Sequence, residues 1–266
     1  MNNPIFVFEG VKSATLTASA GSATGYPTTN LQDDRYATLW ISGSAAQNQT
    51  LKAQFAIAKN IDSVLITNHN LAALGLSNLL VQTSLDGTNW ENQCALTSYP
   101  DPLFGAFIAA VSRSYCQLVL QKSGALSVAP QIGMIYFGAR TDMPLYLNSP
   151  ERGLQADAVV VESMSGLRYA SSMHADRETW KLNSKSLSAA QLYGWTRLVR
   201  AVNGIQYPFW FCDMDGNWHF VRFKKNYLPW IGKGNVAFPV QGIEFDEERV
   251  GIATSLPGGY TVAAPA

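Results

Sequence analysis

The stretch LVQTSLDGTNW, residues 80–90, decides the fold. Apolar and polar residues alternate along its first part, which is the pattern of a β-strand with one buried face. The strand ends at Asp86-Gly87, a dipeptide that favours a tight turn between antiparallel strands. A strand that runs into such a turn predicts an antiparallel sheet.

Short segments of the same character lie on both sides of this predicted hairpin. Gly, Pro, Asn and Asp interrupt them, which is typical of an all-β protein. In the first half of the chain we predict strands over 14–19, 50–57, 62–67, 79–84, 106–111, 115–121 and 132–137. Seven short strands in succession predict a β-sandwich.

The character of the sequence changes around 140–152, a segment rich in turn-forming residues with a proline near each end. We therefore predict a domain boundary here, with domains over 1–141 and 142–250. Further strands are predicted over 156–162, 167–174, 178–183, 209–212, 218–223 and 236–245. The uncharged, small-residue segment 251–266 is predicted to be a flexible C-terminal tail.

One segment, 189–202, has the pattern of an α-helix. Ser188 is a suitable N-cap and Gln191, three residues later, completes a capping box. Gly204 stands where a left-handed C-terminal cap belongs. Because Gly194 lowers helix propensity, it predicts close packing of another backbone. The apolar stripe of the helix is formed by Leu192, Trp195, Val199 and Val202.

Charge is scarce and balanced. Charged residues make up 14% of the chain, against about 25% in an average soluble domain. Basic and acidic residues number 7 and 7 up to Thr141, and 12 and 12 from Asp142 onward. No basic field is visible, which argues against sequence-specific nucleic-acid binding. A weakly charged surface is better suited to assembly than to a free monomer.

No membrane segment or secretory signal is predicted from the sequence. No apolar run approaches the roughly 20 residues that span a bilayer, and the N terminus has no basic region followed by an apolar stretch. Cys94, Cys116 and Cys212 lack a CxxC spacing. We interpret them as reduced, mostly buried thiols; a Cys94–Cys116 disulfide stays open if their strands are neighbours.

The segment ATGYPTTNLQDDRYATLWISG, residues 23–43, resembles the opening signature of discoidin-like (galactose-binding-like) domains. Its parts are Asn30-Leu31, Asp33-Asp34 and Thr38-Leu39-Trp40. Later landmarks of the family follow in order as LKAQFAIAK (51–59), IDSVLITNHNL (61–71), VQTSLDGTNW (81–90) and Phe137-Gly138. The resemblance covers about residues 14–141 and implies a jelly-roll β-sandwich.

The His69-Asn70-Leu71 variant of this pattern resembles the form found in phage tail and baseplate proteins. The remainder, 142–250, is similar to the ring-forming domain of distal tail proteins. It carries Trp180 on a strand, then the capped helix, PFWF (208–211) and VRF (221–223). One departure is the order, since many distal tail proteins place the ring domain first. The fold expected is therefore mainly β, a discoidin-like sandwich followed by a tail-ring-like β-domain with one helix.

This resemblance implies a non-enzymatic structural protein of a phage tail tip, forming a six-fold ring between tail tube and baseplate. The implied partners are copies of the chain, the tail tube protein, and the baseplate hub and tape-measure proteins. The expected location is the virion tail tip, after assembly in the host cytoplasm. The candidate interface residues are Leu192, Gly194, Arg197 and Arg200.

Two other functions remain open. The first is a carbohydrate-binding module that attaches the particle to a host glycan through loops 44–49 or 101–105. The second is an enzyme acting on cell-wall sugar, which is disfavoured because no catalytic constellation appears.

A structural calcium ion is the one cofactor considered. Asp33, Asp34 and Thr38 place hard oxygen ligands in a tight loop, as calcium requires. Asp and Asn also form such turns without metal. Asp213–Gly216 briefly resembles the start of a calcium loop, but we predict that it is the hairpin turn between two strands.

Few residues offer catalytic chemistry. His69, His174 and His219 stand in no recognisable motif. We interpret His69 as a turn histidine bonded to backbone, with acid–base work or a sugar contact as the alternative. The densest acidic cluster consists of Glu244, Asp246, Glu247 and Glu248. It is predicted to be a solvated strand end, although paired carboxylates could also hydrolyse glycosides.

The tryptophans are interpreted as packing residues. Trp40 and Trp90 stand at core or half-buried positions of the sandwich pattern, although exposed rings could stack on sugars. Trp210, Trp218 and Trp230 alternate with apolar neighbours, which predicts a core shared between strands and helix.

Overall fold

The computed structural model describes residues 3–8, 10–33, 35, 38–96, 103–143, 151–155, 158–162, 168–172, 177–183, 187–225 and 242–247. These residues are mainly in β-strands, which confirms the predicted fold class. The strands are β1 (Ile5–Val7), β2 (Ala14–Ala18), β3 (Trp40–Ile41), β4 (Gln49–Thr67), β5 (Asn78–Ser84), β6 (Glu91–Leu96), β7 (Leu103–Gln121), β8 (Gln131–Ile132), β9 (Met134–Gly138), β10 (Arg140–Asp142), β11 (Glu151–Gln155), β12 (Ala158–Glu162), β13 (Arg168–Ser172), β14 (Arg177–Leu182), β15 (Phe209–Cys212), β16 (Trp218–Phe223) and β17 (Ile243–Glu247).

The described residues fall into two compact units. The first, the sandwich unit, runs from Val7 to Arg140. The second, the helix unit, begins at Thr141 and also includes the N-terminal residues up to Phe6. The predicted first domain started at residue 1, whereas the structure pairs β1 into the sheet of the helix unit. The predicted tail, 251–266, lies outside the described residues.

The sandwich unit is built on two long strands. β4 and β7 have 19 residues each, and the sheet order is β2-β4-β7-β5-β6, with β9 also paired to β4. The first part of β4 pairs with β2 and the end of β7; the second part pairs with β9 and the start of β7. Sequence patterning placed breaks near 58–61 and 112–114. The structure has register shifts in β4 instead. At such irregularities a strand bends, but its pairing with the neighbouring strand continues.

The sandwich core is apolar and continuous. Side chains from both parts of β4 and β7 meet in it, together with those of β5 and β9. Trp40 is 1% exposed, and its indole nitrogen donates to Ser22 Oγ at 3.0 Å. A buried tryptophan satisfied in this way is a packing residue, as predicted.

The helix unit contains a seven-stranded sheet in the order β10-β1-β15-β16-β17-β14-β11. β12 and β13 form a separate hairpin. The predicted strands 209–212 and 218–223 match β15 and β16, and Asp213–Gly216 lies in the turn between them, as predicted. β1, β10 and β11 were not predicted. β1 and β10 have three residues each, too few to display a period, and β11 begins inside the turn-rich segment 140–152 that was interpreted as the domain boundary.

An aromatic cluster packs this sheet against the helix. Ring centroids are 5.7 Å apart for Phe6 and Trp195, 4.5 Å for Phe209 and Phe223, and 4.8 Å for Phe211 and Phe245. Most of these pairs are tilted or edge-to-face, the arrangement that ring quadrupoles favour. The rings are fully buried and form the centre of the unit.

The helix α1 (Ala189–Ala201) begins at the predicted cap. Ser188 Oγ accepts from the Gln191 amide, and the Gln191 side chain accepts from the Ser188 amide. Trp195, Leu198 and Val199 are buried on one stripe. Gly204 has φ of +68° and closes the end. In the described part of the chain, no helix is long and apolar enough to cross a membrane.

Candidate functional site

Three loops of the sandwich unit, 42–48, 68–77 and 122–130, are hydrogen-bonded to one another. Leu126 N donates to Ala45 O at 2.9 Å, and Lys122 Nζ donates to Leu74 O at 3.0 Å. Gln49, the buried first residue of β4, donates from its side-chain Nε2 to Ser44 O in the first loop at 2.8 Å. The predicted glycan-binding loop 44–49 is therefore fixed by a hydrogen bond from the buried Gln49 side chain. Of the second predicted loop, 101–105, residues 101–102 lie outside the described residues, and 103–105 are buried in β7.

The strands β2-β4-β7-β5-β6 lie side by side, and we call them the five-stranded sheet. Its outer face carries a row of polar side chains, three of which are amides. Strand register aligns Thr17, Lys52, Gln117, Gln82 and Asn92 across β2, β4, β7, β5 and β6. Gln117 Nε2 donates to Gln82 Oε1 at 2.7 Å, and Gln82 Nε2 donates to Asn92 Oδ1 at 2.7 Å. Cross-strand pairs of this kind stabilise sheets and fix side-chain rotamers. We call these five residues the amide row.

Tyr115 lies beside the amide row on the same face. Register pairs it with Ser84 and Gln54, and its ring is half-buried. A Cβ on Gly87 would lie 3.0 Å from this ring, and Gly87 has φ of +76°. The Asp86-Gly87 turn therefore fits closely against Tyr115. Backbone and side-chain hydrogen bonds from Asn89 and Thr88 hold the pKa of Asp86 well below its usual range.

The loop proposed for calcium is a turn held by its own side chains. Asp33 Oδ1 accepts from Thr38 Oγ1 at 2.8 Å and from the Arg35 amide at 2.9 Å. Thr38 Oγ1 also donates to Asp33 Oδ2 at 2.8 Å. Asp34 lies outside the described residues. Within the described ranges no group of three or more His, Cys, Asp or Glu side chains could hold a metal ion. Asp33 and Thr38, two of the three expected ligands, are hydrogen-bonded to each other. Calcium binding stays a prediction.

His69 is a turn residue. It is 6% exposed, and its Nδ1 accepts from the Leu71 amide at 3.3 Å. This hydrogen bond confirms the interpretation of His69 as a turn histidine bonded to backbone. His174 lies outside the described residues.

The helix residues predicted to form an interface have varied surroundings. A Cβ on Gly194 would lie 2.6 Å from Thr141 Oγ1, so a side chain, and not a backbone as predicted, packs there. Leu192 is half-buried and Arg200 is exposed. The Arg197 guanidinium lies 5.8 Å from the Tyr193 ring. The oligomer interface itself stays a prediction.

The acidic cluster at the end of β17 is divided by strand alternation. Glu244 and Asp246 point to one face of the sheet and Glu247 to the other. Asp246 forms an ion pair with Lys224 at 2.9 Å. Glu248 lies outside the described residues. Glu244, Asp246 and Glu247 are all half-buried and Asp246 is paired with Lys224, and the alternative of paired carboxylates for glycoside hydrolysis stays a prediction.

Sequence reasoning missed a charge network around the buried His219 in the helix unit. His219 is 7% exposed, and its Nε2 lies 3.2 Å from Asp213 Oδ2. Its Nδ1 lies 3.6 Å from Glu178 Oε2 and 4.0 Å from Glu247 Oε1. Arg152 pairs with Glu178. The predicted hairpin already brings Asp213 near His219, but no sequence signal links Glu178 or Glu247 to them.

The network changes the protonation of its members. Burial disfavours the charged form of His219, but hydrogen bonds to Asp213 and Glu247 outweigh it and raise its pKa above the ordinary value. Burial likewise opposes ionisation of Asp213, yet hydrogen bonds from His219 and Asn217 lower its pKa to about 2. The charged forms of His219 and of the carboxylates therefore favour one another across three strands and the turn at Asp213.

Trp210, Trp218 and the cysteines are packing residues. Trp210 and Trp218 are buried, whereas Trp90 is half-buried; Trp230 lies outside the described residues. Cys94, Cys116 and Cys212 carry free thiols. Burial raises the pKa of Cys94 to about 11 and that of Cys212 to about 12. Such thiols are poor nucleophiles at neutral pH.

Comparison with known proteins gives structural neighbours alone. No family model matches the sequence, and no curated protein matches it. Chitosan-binding module 1 of a chitosanase/glucanase from Paenibacillus sp. IK-5 has 18% identity and a TM-score of 0.43, covering 49% of this chain and 99% of the module. Module 2 of that enzyme, solved with chitotriose, has 16% identity and a TM-score of 0.42, covering 48% and 98%.

A third neighbour is a module named CBM32-5 from Clostridium perfringens, solved with GalNAc-beta-1,3-galactose. It has 13% identity and a TM-score of 0.43, covering 50% of this chain and 99% of the module. All three neighbours are carbohydrate-binding modules. They give no support to the tail-ring hypothesis.

Proposed function

We propose that this protein is a non-catalytic carbohydrate-binding protein whose sandwich unit attaches it to a glycan. The observation that carries the proposal is the outer face of the five-stranded sheet. Between Gln49 and Gln54 of β4 and in the parts of β2, β5 and β7 paired with this stretch, Lys52 is the charged residue that alternation directs outward, and the nearby Arg113 is paired with Glu91 at 2.5 Å. Uncharged amides and hydroxyls match sugar hydroxyls, which both donate and accept hydrogen bonds.

The described titratable groups support binding without catalysis. In the sandwich unit, His69 is held in its turn, and Asp33 is occupied by Thr38 and Arg35. In the helix unit, His219 and Asp213 are buried, and the partly exposed Glu178 is paired with Arg152. A general acid or base must reach its substrate, and each of these groups is already engaged with a neighbouring side chain.

A glycan microarray probed with the full chain tests the proposal. We expect concentration-dependent binding to a subset of glycans, abolished by the same glycans in solution. Affinity electrophoresis through gels containing soluble polysaccharides provides a second readout that does not depend on immobilisation. The proposal is wrong if the folded protein binds no glycan or polysaccharide in either assay.

Assembly into a phage tail-tip ring is a second candidate function. It is favoured by apolar side chains that are exposed on α1 and the turn after it: Tyr193 is 66% exposed, Ile205 52% and Tyr207 38%. A cyclic ring needs two different patches on each subunit, and these side chains would form one of them. In that role the protein would lie at the virion tail tip with tail tube, hub and tape-measure partners. Size-exclusion chromatography with light scattering tests it, and a monomer at all concentrations would count against it.

A further inference from the structure

The amide row spans the whole width of the five-stranded sheet. Neighbouring strands are about 4.8 Å apart, so four steps from Thr17 to Asn92 extend over roughly 19 Å. Thr17 and Asn92 are exposed, Lys52 and Gln82 are half-buried, and Gln117 is 8% exposed. The row is therefore a continuous polar line across the sheet. The largely buried Gln117 positions the side chain of Gln82 through their hydrogen bond.

The amides hold one another in a fixed direction. Gln117 donates to Gln82, and Gln82 donates to Asn92. Each primary amide has two N–H donors and a carbonyl oxygen with two lone pairs. One N–H of Gln82 and one lone pair of its oxygen remain after these bonds. Because the rotamers are already fixed, a ligand that binds here loses less side-chain entropy than it would on free side chains.

Apolar surface lies next to the polar line. Register places Leu80 and Ala95, together with Thr50 and the largely buried Val119, in the adjacent row on one side, and Tyr115 lies on the other side. A pyranose ring has the same division, with hydroxyls at its rim and C–H groups on its faces. Lys52 carries the one formal charge of the amide row, and the neighbouring Arg113 and Glu91 neutralise each other in an ion pair, so the surface suits an uncharged ligand.

From these observations we propose that the amide row binds an extended, uncharged polysaccharide whose chain runs across the strands. The strand spacing is close to the length of one sugar residue in an extended chain, so successive residues meet successive strands. Gln82 and Asn92 contact the ligand directly, while Gln117 orients Gln82. This inference rests on the proposed function. It goes further by naming the surface that binds and the class of polysaccharide that is bound.

Binding of soluble polysaccharides to the full chain tests the inference. The panel contains neutral chains (hydroxyethylcellulose, galactomannan and β-1,3-glucan) and charged chains (alginate and hyaluronan). The test variant is Gln82→Ala with Asn92→Ala, and the matched control is Asn60→Ala, which removes an exposed amide from the second part of β4. Thermal unfolding of each variant verifies that the sandwich is intact.

We expect the double variant to weaken binding of a neutral polysaccharide about tenfold or more, since two hydrogen-bonding groups are lost. The control should bind as the unmodified protein does. Gln117→Ala should weaken binding less, and Gln117→Asn should not restore it because the shorter side chain cannot reach Gln82. If the unmodified protein binds glycans but the double variant binds equally well, or if charged chains alone bind, the inference is wrong and the proposed function stands. If nothing binds, both are wrong.

Discussion

The contact between Gly194 and Thr141 predicts the effect of adding one methyl group to α1. In an exposed helix interior, Gly→Ala stabilises by about 0.5–1 kcal/mol. In this structure, however, the added Cβ would lie 2.6 Å from Thr141 Oγ1 and 2.9 Å from its Cγ2. Overpacking typically costs about 1–3 kcal/mol. Thr141 is only 7% exposed and cannot turn its short side chain away freely. We therefore expect Gly194→Ala to destabilise the helix unit by about 0.5–2 kcal/mol.

The second variant in this test removes the two atoms that clash. Thr141→Ala deletes Oγ1 and Cγ2 and leaves Cβ at an acceptable 3.4 Å. In urea unfolding followed by far-UV circular dichroism, the double variant should be more stable than the sum of the single effects predicts, by about 1 kcal/mol or more. Additive effects would refute the reasoning. A Gly194→Ala variant more stable than the unmodified protein would refute it as well.

Two further predictions concern the charge network and the tight turn. Because the pKa of His219 is raised in the folded protein, its stabilising contribution should be complete below its unfolded pKa, near 6.5, and lost as pH rises through the higher folded pKa. His219→Gln should remove this pH dependence from urea unfolding, whereas a dependence that persists in the variant would assign it to another group. Gly87→Ala should destabilise the sandwich by about 1–3 kcal/mol, because φ is +76° and the Tyr115 ring lies 3.0 Å from the added atom. Thermal unfolding that is unchanged in this variant would contradict the close fit of turn and ring.

Local sequence signals identified the elements whose stabilisation is local. The capping box at Ser188 and the strands on either side of Asp213–Gly216 were predictable because caps, periodicity and turns act over a few residues. The fold class followed from the same strand and turn signals. The breaks placed in β4 and β7 were wrong, since a bulge and a strand end present the same interruption of apolar alternation.

The candidate sites depended on strand pairing and were less accessible to sequence reasoning. Gln82 and Asn92 lie on consecutive strands of one hairpin, but their alignment with Gln117 depends on the pairing of β5 with β7. A shift of one residue would have turned every amide to the other face. The meeting of His219 with Glu178 and Glu247 likewise depends on sheet order. Register and sheet order come from tertiary packing, which a single sequence does not display.

The place of β1 in the sheet determines the order in which the chain can fold. β1 lies between β10 and β15, and Met143 N donates to Pro4 O at 3.1 Å. The whole sandwich is thus an insertion between two adjacent strands of another sheet. During synthesis the sandwich can close as soon as its last strand emerges. On its β15 side, β1 pairs with residues more than two hundred positions away, so half of its pairing can form only after β15 has been synthesised.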